Sequence, residues 1–199
     1  MNFVGHAYIA REYPELIAGN FAGDSYKGNL EKFRSLPPHI LQGVYLHRYI
    51  DDYTDSSPYI KAIGKKFQDK GVQKIAYIAT DIILDHYLTK NWSNYCAKPF
   101  DDFVKMVYHE TDQNLHYLED DFKTMYALLK EHEWLYQYHS EEGIEMILWQ
   151  FSRRIGFKND LVRCMQLYLN DRDSIDLLFE KFMKSIIFDS QQFIKELIG

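Results

Sequence analysis

Five side chains of types that bind metal ions fall in two short windows of this sequence. His47 and Asp51 are four residues apart, as are Asp81 and Asp85, and His86 follows immediately. Residues four apart lie on one face of an α-helix, so each pair can direct two ligand groups toward one point. Both pairs lie in apolar stripes, where an unpaired charge is costly and a bound cation offsets that cost. The spacing therefore predicts a metal site between two helices.

The window 78–88 carries its carboxylates among aliphatic side chains. A single buried aspartate usually accepts hydrogen bonds from a neighbouring donor such as tyrosine or arginine. Two aspartates at helical spacing, Asp81 and Asp85, with His86 beside them, favour a metal or catalytic cluster instead.

The window 43–52 leaves more alternatives open. A lone histidine on this apolar stripe would be a core residue, but the pairing of His47 with Asp51 favours a ligand role. Asp51 either binds the metal or orients His47, because a ligating imidazole commonly donates its other N–H to a carboxylate. Arg48 either reaches an anionic group at the site or pairs with a nearby aspartate.

Two further candidate segments lie nearer the N-terminus. His6 is early on the first predicted helix and, taken alone, would be structural. Residues 20–29 are punctuated by glycines and carry Asp24 and Lys27. Glycines allow the backbone to approach a ligand closely, so this segment is either part of the site or an ordinary surface turn.

Helix signals cover nearly the whole chain and little of it alternates as strands do. Proline or glycine stands at many of the boundaries between predicted helices. The predicted helices are 3–11, 38–54, 57–67, 72–94, 99–118, 122–134, 141–155, 159–169 and 174–197. We predict an all-α fold, a compact single-domain helical bundle formed by residues 1–199, with the metal site between facing helices.

The overall composition argues against several classes of protein. A formal net charge of −6 disfavours a general nucleic-acid-binding protein, which would need a basic face. Two cysteines are too few for a disulfide framework, which indicates a reducing compartment. No segment resembles a secretory leader or has the apolar length of a membrane span. We expect a soluble, cytoplasmic protein without a membrane partner.

A series of short motifs follows the chain in order. They are Asn2-Phe3, His6, Gly19-Asn20, Gly23-Asp24, Lys27-Gly28, His47-Arg48, Ile50-Asp51, Thr54-Asp55, Asp81, Asp85-His86, Trp92, Trp134-Leu135, Tyr138 and Ser152-Arg153-Arg154. In this order and spacing the chain resembles the acyl carrier protein phosphodiesterases, or acyl carrier protein hydrolases, which look like divergent relatives of the HD-domain metal phosphohydrolases. One position differs, because Asn91 precedes Trp92 where the family pattern has a histidine. No role is transferred to Asn91.

The resemblance implies a reaction, a fold and a cofactor. The reaction is hydrolysis of the phosphodiester that links 4′-phosphopantetheine to a serine of holo-acyl carrier protein, which releases the apo-protein. The fold is HD-domain-like. The cofactor is a divalent metal, with Mn²⁺ favoured by oxygen and imidazole ligands and Mg²⁺ or Fe²⁺ as alternatives. Such a metal would activate the attacking water.

The resemblance also assigns roles to the candidate residues. The expected metal ligands are Asp24, His47, Asp81 and Asp85. The expected catalytic residues, which act at the metal or beside it, are His6, Asp51, His86, Arg48 and Lys27. Either His6 or His86 would protonate the departing serine oxygen. The arginine and the lysine would hold the phosphate as paired donors.

The partner implied by the resemblance, acyl carrier protein, is acidic and would need a local basic surface. The candidates are Lys61, Lys65, Lys66, Lys70, Arg153 and Arg154. The lysines lie in a stretch with one acid, Asp69, directly after the predicted helix that carries His47. A basic patch there would attract an acidic protein to the site, whereas the alternative is a solvated lysine face.

Two other functions stay open from the sequence. An HD-type phosphohydrolase acting on a nucleotide or another small phosphoester would keep the metal site and change the substrate. An all-helical binding module would use the same buried polar groups only for structure.

Overall fold

Helices account for nearly all of the regular structure of this chain. The computed structural model describes residues 1–199 and contains twelve α-helices, four short 3₁₀ helices and no β-strand. The α-helices are α1 (Phe3–Ile9), α2 (Ile17–Phe21), α3 (Pro38–Ser56), α4 (Pro58–Asp69), α5 (Ala76–Lys90), α6 (Trp92–Tyr95), α7 (Phe100–Asn114), α8 (Asp120–Glu131), α9 (Trp134–Gln137), α10 (Glu141–Arg154), α11 (Arg163–Asn170) and α12 (Arg172–Ile198). The predicted all-α class is confirmed.

The predicted helix boundaries differ from the observed ones at several places. The segment predicted as one helix over 72–94 divides into α5 and α6 at Asn91. The short helices α2 and α9 were not predicted, because five and four residues are too few to show a helical repeat. Helices α3 and α4 begin at Pro38 and Pro58, where a missing backbone N–H is tolerated in the first turn.

Helices α2 and α3 cross with very close contact between their backbones. A Cβ atom on Gly19 would lie 2.1 Å from the carbonyl oxygen of Ile40, and one on Gly43 would lie 2.5 Å from that of Leu16. Only glycines allow this approach. The crossing brings the backbone of Asn20 beside α3.

Helix α5 is the most deeply buried of the long helices of the fold. Residues 82–89 are all buried, and α5 packs against α1, α4, α10 and α11. Three of these residues, Asp85, His86 and Thr89, are polar and therefore need hydrogen-bond partners inside the protein.

The longest helix, α12, packs along α3 and α4 and completes a hydrophobic core that extends from Met1 to Ile194. This core holds α1, α3 and α5 in fixed positions around the polar residues between them. A bilayer span would need a longer stretch of apolar helix than any of the twelve provides.

Candidate metal centre

Two histidines and an aspartate from separate parts of the chain meet at one point. His6 lies at the end of α1, and His47 and Asp51 lie one turn apart on α3. The carboxylate of Asp51 is 3.1 Å from Nε2 of His6 and 3.1 Å from Nε2 of His47. The two imidazole rings are stacked, with centroids 4.0 Å apart. One ligand atom from each residue lies within 4.8 Å of the others, which is a suitable separation for a shared metal ion.

Asn20 of α2 determines which nitrogen of each ring faces this point. His47 donates from Nδ1 to the backbone carbonyl of Asn20 at 2.7 Å. The side-chain amide of Asn20 donates to the carbonyl of His6 at 2.7 Å, which turns its Oδ1 toward Nδ1 of His6 at 3.3 Å. Because these oxygens can only accept, each ring carries its hydrogen on Nδ1 when neutral. Both Nε2 lone pairs are therefore directed at Asp51.

This arrangement requires a positive charge at its centre. Two imidazole lone pairs and a carboxylate would otherwise repel each other. Burial opposes protonation of His47, but its hydrogen bonds to Asp24 and Asp51 outweigh burial and raise its pKa to about 9. Burial and the neighbouring His47 lower the pKa of His6 to about 4. Burial opposes ionisation of Asp51, but hydrogen bonds from His47 and His6 outweigh burial and lower its pKa. A set of imidazole and carboxylate donors fits a divalent transition-metal ion.

Asp24 stands at the rim of the centre on a tightly packed loop. Its side chain is 92% exposed, and Oδ1 lies 3.4 Å from Nε2 of His47. The preceding residue, Gly23, touches the ring of His47, and a Cβ there would lie 2.1 Å from Cγ of the imidazole. Glycine at this position is therefore required for Asp24 to reach the histidine.

The two predicted phosphate-binding side chains have different surroundings. Arg48 donates to the backbone carbonyls of Tyr26 at 2.8 Å and Gly28 at 2.6 Å, and so holds the loop that carries Asp24. Lys27 is exposed on the same loop. Only the lysine is thus left free for an anionic ligand.

The structure does not bring Asp81 and Asp85 into the cluster. Asp85 accepts backbone N–H bonds from Asn2 at 3.3 Å, Val4 at 2.7 Å and Gly5 at 3.1 Å. Burial raises its pKa to about 7, although these bonds and the amino terminus oppose the rise. Asp81 accepts from the amino group of Met1 at 2.9 Å. Both carboxylates therefore hold the start of α1.

His86 points away from the cluster, although it follows Asp85 in the chain. It donates from Nδ1 to the carbonyl of Tyr138 at 2.8 Å, and its ring meets Tyr168 edge-on. Burial lowers its pKa. The contacts of His86 connect α5 to the segment between α9 and α10.

This chain is similar in sequence to proteins of a known family. The family model for acyl carrier protein phosphodiesterase matches residues 1–186. The chain belongs to the acyl carrier protein phosphodiesterase family. Proteins named acyl carrier protein phosphodiesterase from Escherichia coli O139:H28, O9:H4 and K12 are each 29% identical over 151 residues, which is 74% of this chain and 76% of theirs. No solved structure matches the chain.

The part of the chain that matches the acyl carrier protein phosphodiesterase family contains the whole cluster. It also contains Asn20, which the sequence analysis quoted in a motif but did not assign to the site. The one sequence feature that could have indicated a role for Asn20 was its position as a single amide within the apolar run 16–22. A buried amide of this kind must find hydrogen-bond partners, and here it finds the histidines.

The basic residues predicted to bind a partner of this phosphodiesterase-family protein fall into two groups. Lys65 pairs with Asp69 at 3.1 Å and Lys66 with Asp171 at 2.8 Å, while Lys61 donates to a backbone carbonyl. The second group makes no ion pair and consists of Lys70, Arg153 and Arg154. The structure therefore leaves the second group freer for an external partner than the first.

Proposed function

We propose that this protein hydrolyses the phosphodiester between 4′-phosphopantetheine and the serine of holo-acyl carrier protein and releases the apo-protein. Membership of the phosphodiesterase family supports the substrate. The observation that carries the proposal is the convergence of His6, His47 and Asp51 on one point, with both Nε2 atoms facing the Asp51 carboxylate.

We further propose that His6, His47 and Asp51 hold a divalent cation, with Asp24 at the rim as an additional ligand. The mixed imidazole and carboxylate set supports Mn²⁺ first, with Fe²⁺ and Mg²⁺ as alternatives. When bound, such an ion supplies Lewis acidity, which activates water and neutralises charge on the phosphoryl group.

The protein residues then have distinct tasks. Asn20 keeps both rings oriented, and Asp24 accepts a proton from the attacking water at the open side of the centre. The water oxygen joins phosphorus, the bond from phosphorus to the serine oxygen breaks, and that oxygen takes up the proton that Asp24 received from the water. Lys27 binds the phosphate from the same loop, which Arg48 keeps in place. Asp85 positions α1 in this proposal instead of binding the metal.

The test is intact-mass analysis of holo-acyl carrier protein after incubation with the protein and Mn²⁺. We expect loss of the phosphopantetheine mass with Mn²⁺ and none with EDTA. In ¹⁸O-labelled water the label should appear in the released phosphopantetheine, because water attacks phosphorus. Asp51→Asn should lower the rate about 100-fold or more, since it removes the carboxylate between the two histidines.

Asp52→Asn is the matched control, because Asp52 is exposed on the same helix and makes no ion pair. This variant should keep the wild-type rate. An unchanged carrier-protein mass with metal-loaded wild-type protein would refute the proposed substrate. Equal losses in both variants would refute the proposed site.

A further inference from the structure

A basic surface with exposed aromatic side chains lies where the loop between α4 and α5 meets the loop between α10 and α11. The two loops together line a cavity of about 280 Å³. The α10–α11 surface, as we call it, consists of Lys74, Trp149, Arg153, Phe157, Lys158 and Arg163. The ammonium group of Lys74 lies 5.5 Å from the ring of Phe157, which joins the two loops.

The charge of this region is opposite to that of the whole chain. Segments 70–75 and 149–163 contain six basic residues and one acid, Asp160, while the chain has a formal net charge of −6. None of the six forms an ion pair with a carboxylate of this protein, in contrast to Lys65 and Lys66. The six are Lys70, Lys74, Arg153, Arg154, Lys158 and Arg163. Their charges are available to an external partner.

The aromatic side chains of the surface are exposed but held in place. Trp149 is 46% exposed and Phe157 is 49% exposed. The guanidinium of Arg153 lies 4.9 Å from the ring centroid of Trp149. The amide of Asn159 donates to the carbonyls of Ser152 and Phe157, which ties the loop back to α10. Tryptophan and arginine in fixed positions are typical of the residues that contribute most to protein interfaces.

The α10–α11 surface and the metal centre are connected through α5. This helix begins at Ala76, directly after the basic loop, and Asp81 lies five residues later, about 8 Å along the axis. Asp81 binds the amino group of Met1, which lines a small recess together with His6 and His47. An interface of ordinary size covers roughly 800 Å² on each partner, or about 30 Å across.

We propose that the α10–α11 surface docks an acidic protein with exposed apolar side chains, which under the proposed function is the carrier protein itself. The unpaired cations attract and orient the acidic partner, and the aromatic rings provide apolar contact after docking. This proposal rests on the proposed function for the identity of the partner. Of the basic residues predicted to bind the partner, the proposal keeps Arg153 in the docking surface and leaves out Lys61, Lys65 and Lys66.

The experiment measures binding of apo-carrier protein, the expected product, by calorimetry at low and at moderate salt. The double variant Lys74→Glu/Lys158→Glu is compared with Lys181→Glu/Lys195→Glu, which reverses two exposed, unpaired lysines on α12. Both change the net charge equally. We expect the first pair to raise Kd about 10-fold or more at low salt and the second to change it less than about twofold.

A second comparison tests the apolar part of the surface. Trp149→Ala should raise Kd about 10-fold, whereas Phe188→Ala, which removes a 64% exposed ring from α12, should leave it unchanged. Each variant is compared with wild type by circular dichroism and thermal melting, so that misfolding is recognised.

Calorimetry does not depend on catalysis, so the docking proposal and the proposed function fail separately. Wild-type binding without hydrolysis would refute the reaction and leave the docking proposal supported. Absence of binding to wild-type protein, or equal losses in the test and control pairs, would overturn the docking proposal. Self-association that Trp149→Ala abolishes, without carrier-protein binding, would assign the surface to a second copy of this chain and would also overturn it.

Discussion

Asn20 serves two histidines with two different groups, its side-chain amide for His6 and its backbone carbonyl for His47. Carbonyl oxygens bonded to the second nitrogen of a ligating histidine set its tautomer and orientation. A single residue at the α2–α3 crossing therefore controls both imidazoles of the candidate centre.

Replacement of Asn20 by leucine should weaken Mn²⁺ binding about 10- to 100-fold, because the ring of His6 loses its orienting partner, while His47 keeps the backbone carbonyl of residue 20. Titration followed by electron paramagnetic resonance of free Mn²⁺ measures this directly. Asn114→Leu is the control, since that amide contacts a histidine, His39, far from α2 in sequence. Long-range ¹H–¹⁵N spectra of the metal-free variant should show loss of the Nδ1–H form of His6, and an unchanged Kd for Mn²⁺ would contradict the role of Asn20.

Gly23 provides the space in which Asp24 approaches His47. Gly23→Ala would place a methyl group against the imidazole ring, so the loop or the ring must move. We expect about 10-fold or greater loss of Mn²⁺ affinity with little change in helix content. Gly156→Ala is the control, because its added methyl group meets no atom within 4 Å. If both variants bind Mn²⁺ equally well, the close packing is not required.

The sequence was sufficient to predict some of these residue contacts. Spacing alone places His47 and Asp51 on one helical face, and they lie 3.1 Å apart. The link between Asn20 and His6 was not predictable from spacing, because it depends on how α2 crosses its neighbours. For the same reason the sequence did not show that Asp85 meets backbone N–H groups instead of the histidines.

At the scale of elements, Asp85 of α5 acts as a cap for a different helix. The first backbone N–H groups of a helix have no partner within it, and Asp85 accepts those of Val4 and Gly5. These two hydrogen bonds fix the position of α1 and thereby the position of His6. The helix that carries His6, a proposed ligand, is therefore held by a carboxylate from another helix.

Asp85→Asn should destabilise the metal-free protein by about 3 kcal/mol, because buried N–H groups lose a charged acceptor. Urea unfolding in EDTA measures this effect. Removal of a carboxylate that only binds metal would instead leave the metal-free protein unchanged or more stable. The control Asp102→Asn, at an exposed position of α7, should change stability by less than about 0.5 kcal/mol.

The burial of His86 in α5 should make stability depend on pH. Burial lowers the pKa of His86 in the folded state below its ordinary value of 6.5. Below pH 6.5 the unfolded chain therefore binds a proton that the folded protein does not. Stability then falls as the pH is lowered, until the pH passes the pKa of His86 in the folded state. His86→Gln should flatten this part of the urea stability profile, by up to about 1.4 kcal/mol per pH unit. If the stability profiles of wild type and His86→Gln ran parallel with pH, burial of His86 would not be the origin of the pH dependence.

Helix class and most long helices were predictable because apolar periodicity and proline positions are local signals. The short helices α2 and α9 were not, since their few residues are helical only through packing against other elements. Helix α2 illustrates the cause, because Gly19 lowers helix propensity but is required for contact with α3.

At the scale of the whole molecule, the candidate centre joins α1, α3 and the loop after α2. A ligand that binds only the folded protein stabilises it, by about 2.7 kcal/mol at a concentration 100 times Kd. For a chain of this size Mn²⁺ should then raise Tm by roughly 5–10 °C. Scanning calorimetry of wild type and His47→Ala tests this, and a similar rise in the variant would place the bound ion elsewhere.

The bonds between α1 and Asp85 also determine when the centre is assembled. Val4 and Gly5 are separated from Asp85 by 81 and 80 residues, and α1 has only seven residues, too few to be stable alone. During synthesis at about 5–20 residues per second, α1 waits roughly 4–16 s for the residue that caps it. His6 therefore joins His47 only after α5 has been made and packed, so the proposed metal binding can begin only once the first 90 residues have been synthesised.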